Sequence, residues 1–270
     1  MIHPTAVVAP TAKLGANVRI GPYAIVGDDA VVGDDVEIAA HAMLEGRVVL
    51  GPRVRVGPGA VIGGMPQDLK FDPATPSGVR VGAGTAIREY VTIHRATKPE
   101  AWTEIGEDCL LMAMCHVAHD CRLGNGVIVI NYAGITGHCE IGDRATIGGL
   151  VGMVPFTRIG TFAYLGGCSK LNKDLPPFML ADGNLATVRG VNVVGLRRAG
   201  IHPAERRAIR EAHRLLYRSG LTPPAALDRM RRELDPTPHV KELIAFVEGA
   251  RRGIVGPPGR AETDDVEEAE

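Results

Sequence analysis

The stretch Lys13-Leu-Gly-Ala-Asn-Val18-Arg-Ile20-Gly-Pro-Tyr-Ala24-Ile-Val26-Gly-Asp-Asp-Ala30-Val-Val32-Gly-Asp-Asp-Val36-Glu-Ile38 decides the fold. An aliphatic residue recurs at Leu14, Ile20, Val26, Val32 and Ile38, and a small or β-branched residue follows each four places later. Extended backwards, the count reaches Val8 and Ile2. Extended forwards, it takes in Leu44, Leu50, Val56 and Ile62, then Val81, Ile87 and Ile93, then Ile105 through Leu165 to Leu171. A period of six suits no amphipathic helix. It suits three short strands per turn of a triangular prism, each strand sending one aliphatic side chain inward. The repeat predicts a parallel β-helix with coils of about 18 residues, roughly nine to ten of them, stacked at the ordinary strand spacing.

Two inserts interrupt the count, Gly64 to Arg80 and about Arg95 to Thr103. Solenoids carry such inserts as loops over one face, often the binding face. After Leu171 the pattern stops at Asp174-Leu-Pro-Pro-Phe178, and 179–200 reads as a linking loop and turn. Pro203 opens a helix that Gly220 closes, and two more helices are expected over 223–234 and 238–252. The domain reading is therefore a repeat over 1–190, a helical domain over 191–255, and a Pro/Gly-rich then acidic tail over 256–270 expected to be disordered.

The net charge of −1 offers no basic field for nucleic acid. No apolar run is long enough to span a bilayer, and the first residues lack a signal-peptide pattern, so a cytoplasmic protein is expected. The five cysteines read as reduced thiols. Cys109, Cys115, Cys121 and Cys139 all fall on the small inward position of the repeat and are expected in the core. Cys168 falls off it.

Reactive side chains concentrate in His116-Val-Ala-His119-Asp120. Eighteen residues on, His119 is stacked by Gly137, read as an exposed glycine, with His138 beside it. Pro155 and Phe156 follow one coil later. A neutral histidine is a suitable general base, a carboxylate can orient it, and a glycine N–H can meet a developing oxyanion. Zinc coordination is the rival use of such a cluster. The adjacent aspartate suits a base better, and no metal is expected.

The motifs Pro66-Gln-Asp-Leu-Lys-Phe71, Thr92-Ile-His-Arg95, His116-Val-Ala-His-Asp-Cys121, Thr136-Gly-His138, Gly166-Gly-Cys-Ser169, Asp174-Leu-Pro-Pro-Phe178, Gly183-Asn184, Gly190-Val-Asn192 and Tyr217-Arg-Ser-Gly220 occur in this order. Together, over residues 1 to about 250, they resemble the acyl-[acyl-carrier-protein]–UDP-N-acetylglucosamine O-acyltransferases, which open lipid A biosynthesis. The resemblance implies a mainly β fold, a left-handed parallel β-helix of hexapeptide repeats with a C-terminal α-helical domain, assembled as a homotrimer. It implies His119 as general base, Asp120 as its support and Gly137 as oxyanion donor. His116 and His138 would bind substrate, as would Gln67, Asp68 and Lys70 from the first insert. Asn192 and Arg198 would reach the nucleotide from another subunit. Gly167 holds a position that measures acyl length, and glycine there suggests a longer 3-hydroxyacyl chain. No cofactor is implied, because the acyl carrier protein brings the acyl group as a phosphopantetheine thioester.

The chain departs from this pattern at three places. Val154-Pro155-Phe156 stands where the family usually has His-Gln-Phe, Val194 where it has Glu, and Ala199 where it often has Arg. These bear on the acceptor, and a 3-amino sugar nucleotide would make the reaction an N-acylation. The sibling that N-acylates monoacylated UDP-glucosamine carries an extra N-terminal domain, whereas here the repeat begins at Ile2. A non-catalytic solenoid scaffold would have no use for His119-Asp120 opposite Gly137.

Overall fold

In the computed structural model, which describes residues 1–259, the six-residue count becomes three parallel sheets wrapped around one apolar axis. The first sheet has nine strands, from Val7–Val8 to Lys170–Leu171, and includes Thr92–His94, His116–Val117, Gly134–Ile135 and Gly152–Met153. The second has eight, from Lys13–Leu14 to Arg158–Ile159, and the third has ten, starting at Arg19–Ile20. Successive coils pair 18 residues apart, as His116 with Gly134 and Val117 with Ile135. Most strands are two residues long, one side chain out and the next in. The inward set (Leu44, Ile62, Ile93, Leu111, Val117, Ile135, Ile147 and Leu165) has no exposed surface. Burying each such side chain is worth roughly 1.5–3 kcal/mol. Cys109, Cys115, Cys121 and Cys139 lie in the same core, while Cys168 is exposed.

Most corners place their second turn residue at positive φ, a conformation uncommon outside glycine. Asp120 (φ 60°), His138 (φ 62°) and Phe156 (φ 65°) occupy it at the corner between the first and second sheets. Stacking stabilises the conformation: the N–H of His138 donates to the His119 carbonyl at 3.1 Å, and that of Phe156 to the Gly137 carbonyl at 3.1 Å. One corner thus presents two columns, His119–Gly137–Pro155 and Asp120–His138–Phe156. The first insert leaves the same sheet through Gly63 (φ 91°), where a Cβ would stand 2.0 Å from the Glu45 carbonyl oxygen.

The segment after Leu171 differs from the loop expected for 179–200. Met179–Asp182 continues the third sheet by pairing in parallel with Tyr164–Leu165, and Thr187–Val191 folds back antiparallel on it. A short helix α1 (Val193–Arg198) follows, capped by Asn192. The strands escape the six-residue count because a hairpin obeys a different pattern. Helices α2 (Pro203–Tyr217), α3 (Pro223–Glu233) and α4 (Pro238–Glu248) begin where expected, and α4 ends at Glu248, short of the 252 expected. The buried face of α2 is Ile209, Ala212, His213, Leu215 and Leu216, with Ala204 exposed. Of the expected disordered tail, residues 260–270 lie outside the described residues. Gly256 is tied in place, its carbonyl accepting from the Val188 N–H at 2.8 Å.

Candidate active site

His119 and Asp120 are the two central residues of one corner turn, so their side chains leave the same edge of the prism. The His119 Nδ1 and Asp120 Oδ2 are 2.8 Å apart, and both side chains are largely buried (16% and 11% exposed). With the carboxylate as acceptor, Nδ1 carries the proton and Nε2 is left with a free lone pair. The second insert braces the carboxylate: the Thr97 hydroxyl donates to Oδ2 at 2.7 Å and the Thr97 N–H to Oδ1 at 3.1 Å. The Asp120 N–H donates to the Thr103 hydroxyl at 2.9 Å. At His138 and Phe156 that bond goes to the previous coil's carbonyl, and here an insert side chain replaces it. Burial opposes ionisation of Asp120, but the bonds from Thr97 and His119 outweigh it and hold the carboxyl below its ordinary range.

Gly137 is buried, not exposed as the count suggested, because the His119 ring covers it. A Cβ there would lie 2.6 Å from His119 Cε1 and 2.9 Å from Nε2. Among the described residues the Gly137 N–H has no acceptor. The His138 ring stands edge-on to that of His119, centroids 5.2 Å apart, and stacks flat on Phe156 at 4.4 Å. Its Nε2 is 3.7 Å from Asp120 Oδ2. Burial lowers the His138 pKa despite the pull of Asp120.

On the strand side, His116 Nδ1 is 2.7 Å from the Thr92 hydroxyl, and its ring meets that of His94 edge-on at 4.6 Å. Burial, assisted by the neighbouring imidazoles, pushes His94 down to about 4 and lowers His116. His94 Nδ1 is buried without a partner among the described residues. Outward of His116, the first sheet continues bare through Gly134 and Gly152, and nothing lies within 4 Å of a Cβ at Gly152.

His119, Asp120 and His138 each offer a ligand atom within 4.8 Å of the others, a set that could hold a metal ion. Two ligands of one tetrahedral zinc sit about 3.3 Å apart. The 2.8 Å between Nδ1 and Oδ2 is shorter and fits a hydrogen bond, the arrangement of an oriented base.

The other sequence candidates fall into two groups. Gln67, Asp68 and Lys70 are exposed on the first insert, and the charge of Asp68 reaches His138. Asn192 and the exposed Arg198 lie beyond the last coil, and among the described residues no hydrogen bond or ring contact joins them to His119. Asn192 Nδ2 donates to the Phe162 carbonyl at 2.8 Å and its Oδ1 accepts from the Gly195 N–H at 3.0 Å, leaving one hydrogen and one lone pair. Gly167 is exposed at a different corner, where a Cβ would meet the Gly149 oxygen at 3.2 Å. Thr97 and Thr103 carried no sequence signal as site residues, because the insert that holds them has no period. His94 stood within a quoted motif, but its pairing with His116 needed coordinates.

A family model described as Udp N-acetylglucosamine O-acyltransferase, domain 2, matches residues 174–255, and one for bacterial transferase hexapeptide repeats matches 29–64 and 103–137. The acyl-[acyl-carrier-protein]–UDP-N-acetylglucosamine O-acyltransferase of Burkholderia vietnamiensis is 44% identical over 202 residues, 73% of this chain and 76% of that one. The chain belongs to this O-acyltransferase family. Among solved structures, the UDP-N-acetylglucosamine acyltransferase of Bacteroides fragilis superposes with a TM-score of 0.92 at 38% identity, covering 94% of this chain and 100% of that one. The enzyme of Francisella novicida superposes at 0.91 and 31% identity, covering 100% and 99%. A mirror-image coil could not superpose so closely, so the prism has the family's left-handed turn.

Proposed function

We propose that the protein transfers a 3-hydroxyacyl chain from acyl carrier protein to the 3-hydroxyl of UDP-N-acetylglucosamine, the first step of lipid A biosynthesis, in the cytoplasm. The observation that carries this is the His119–Asp120 pair lying over Gly137 in a chain of this family. His119 Nε2 takes the proton of the sugar hydroxyl as its oxygen attacks the thioester carbonyl. Asp120 keeps Nδ1–H oriented and stabilises the imidazolium that forms. The oxyanion accepts the Gly137 N–H. Collapse breaks the C–S bond, and the imidazolium returns its proton to the departing phosphopantetheine thiolate. The donor arrives already activated, so the reading calls for no cofactor.

Gln67, Asp68, Lys70, His116 and His138 bind the acceptor in this reading, Lys70 as a point charge for a phosphate. Asn192 and Arg198 act on the site of a neighbouring copy in a homotrimer. Support for the trimer comes from one corner of the prism, where Tyr23, Tyr90, Met114, Tyr132 and Leu150 form an exposed column. Gly167 leaves the acyl groove open to a longer chain. A 3-amino sugar acceptor is the second reading, favoured by the apolar Val154-Pro155 and Val194 where the family carries polar groups. Purified protein assayed with a panel of 3-hydroxyacyl carrier proteins, against UDP-N-acetylglucosamine and its 3-amino analogue, decides. Turnover of the hydroxyl acceptor that His119→Ala abolishes at unchanged oligomer mass is expected. Full activity in that variant would remove His119 as the base, and activity lost only to a chelator would favour a metal.

A further inference from the structure

A cavity of about 440 Å³ adjoins the site on its C-terminal side, lined by His138, Phe156, Arg158, Arg251 and Arg252 among others. It opens between the last corner of the prism and the segment after α4. Arg158 is its fixed wall. Its Nε donates to Asp174 Oδ2 at 2.8 Å, its Nη2 to the Phe246 carbonyl at 3.0 Å, and its guanidinium lies over the Phe246 ring at 4.4 Å. Asp174 is buried and matched to Arg158, so it does little to neutralise the other two guanidiniums. Glu140 is the one other carboxylate of the lining, and it is exposed. Arg251 and Arg252 are exposed and have no ion pair among the described residues. The lining therefore carries more positive than negative charge and holds two guanidiniums ready for a ligand, beside the ring that packs on His119.

We infer that this cavity is a phosphate subsite, in which Arg251 and Arg252 bind the phosphodiester of the phosphopantetheine arm that delivers the acyl chain. The inference rests on the acyltransferase reading and extends it to the donor. Guanidinium forks match phosphate oxygens and stay charged at any working pH. Of the acceptor contacts of that reading, Gln67, Asp68 and Lys70 lie on the insert between Val61–Gly64 and Gly78–Val81, and Asn192 and Arg198 come from a neighbouring copy, so none of them lines this cavity. A donor approaching from the C-terminal side would bring its thioester to His119 and Gly137 past the Phe156 ring while its phosphate met the arginines.

The test compares two small donors with the full-length protein, 3-hydroxyacyl-phosphopantetheine and the same thioester on dephosphorylated pantetheine. The wild type is expected to favour the phosphorylated arm by about tenfold or more in kcat/KM, the scale of charge-assisted hydrogen bonds. Arg251→Ala/Arg252→Ala is expected to erase that preference with the KM for UDP-N-acetylglucosamine unmoved, and the double lysine variant to restore part of it. No preference in the wild type, a preference that survives in the alanine variant, or a defect that falls on the acceptor KM would each overturn the assignment. Turnover of acyl carrier protein by the wild type is measured alongside, so failure of the enzyme reading itself is seen separately.

Discussion

Gly137 lies so close under the imidazole of His119 that a single added methyl would stand 2.6 Å from Cε1. The Gly137 φ is not in the left-handed region, so alanine would bring no backbone strain there, only the ring clash. Gly137→Ala must therefore push the base away from the reacting hydroxyl, and a misplacement near 1 Å can cost about 10²-fold. A loss of kcat of about that size is expected, with melting temperature changed little. A variant with full kcat would mean that the ring is free to move and that its position over Gly137 is not required.

Asp120 is held ionised by Thr97 and His119. Its pKa is depressed in the folded protein, so the contribution of the carboxylate is complete above its ordinary range and is lost as pH falls through the lower, folded value. Thr97→Val removes the 2.7 Å hydroxyl bond. The Asp120 carboxyl, followed by NMR, should then titrate at higher pH than in the wild type, while the rate at neutral pH changes less. Asp120→Asn should lower kcat by about 10²–10⁴-fold at neutral pH, since the base loses its orienting carboxylate. A carboxyl titration left in place by Thr97→Val would show that the hydroxyl bond does not hold the carboxyl down.

The difference between Asp120 and Thr97 shows what was legible beforehand. The period of six placed the aliphatic core, the four buried cysteines and the stacking of Gly137 and His138 on His119-Asp120, because all of these obey one arithmetic. It misjudged the exposure of Gly137, since counting gives a residue's column but not which side chain leans over it. Thr97 and Thr103 come from an aperiodic insert, and their reach to Asp120 depends on how the loop folds. The hairpin of Met179–Asp182 and Thr187–Val191 was hidden for a similar reason: its second strand reverses direction, and the coil register ends with it.

His94 should shape stability in mild acid. Burial first, and then His116 and His119, bring its pKa from 6.5 to about 4. Between those values the unfolded chain binds the proton and the folded one does not. The stabilising contribution is complete above about 6.5 and is lost as pH falls toward 4. His94→Leu removes both the titration and the unpartnered Nδ1. Its melting temperature relative to wild type should rise steadily from pH 7 to pH 5. A gap independent of pH would show that His94 is protonated in the folded protein as readily as in the unfolded one.

Gly167 offers a test of the acyl groove. A Cβ there meets the Gly149 backbone, its oxygen at 3.2 Å and its nitrogen at 3.8 Å, so a side chain can be admitted with a shift of a few tenths of an ångström. Gly167→Met should leave the oligomer intact and move the preferred 3-hydroxyacyl chain to a shorter length, read from kcat/KM across a series of carrier-protein donors. An unchanged profile would place the end of the groove elsewhere.

Leu150 tests the assembly. It is 63% exposed, and its column continues through Tyr132 (58%) and Tyr90 (60%) along one corner of the prism. Exposed aromatic and aliphatic side chains repeated coil after coil make a patch larger than scattered surface residues do. In the single chain Leu150→Glu puts a carboxylate into open solvent, so the coil itself should fold as before. Across a trimer axis the same change would bury like charges against apolar neighbours. Light scattering should then report a mass near the 28.6 kDa of one chain instead of three times that value. Activity should fall with it, because Asn192 and Arg198 lie beyond the last coil of their own chain and in the trimer reading act on a neighbour's site. A variant that stays trimeric would show that the column faces away from the axis. A monomer with undiminished turnover would show that each chain completes its own site.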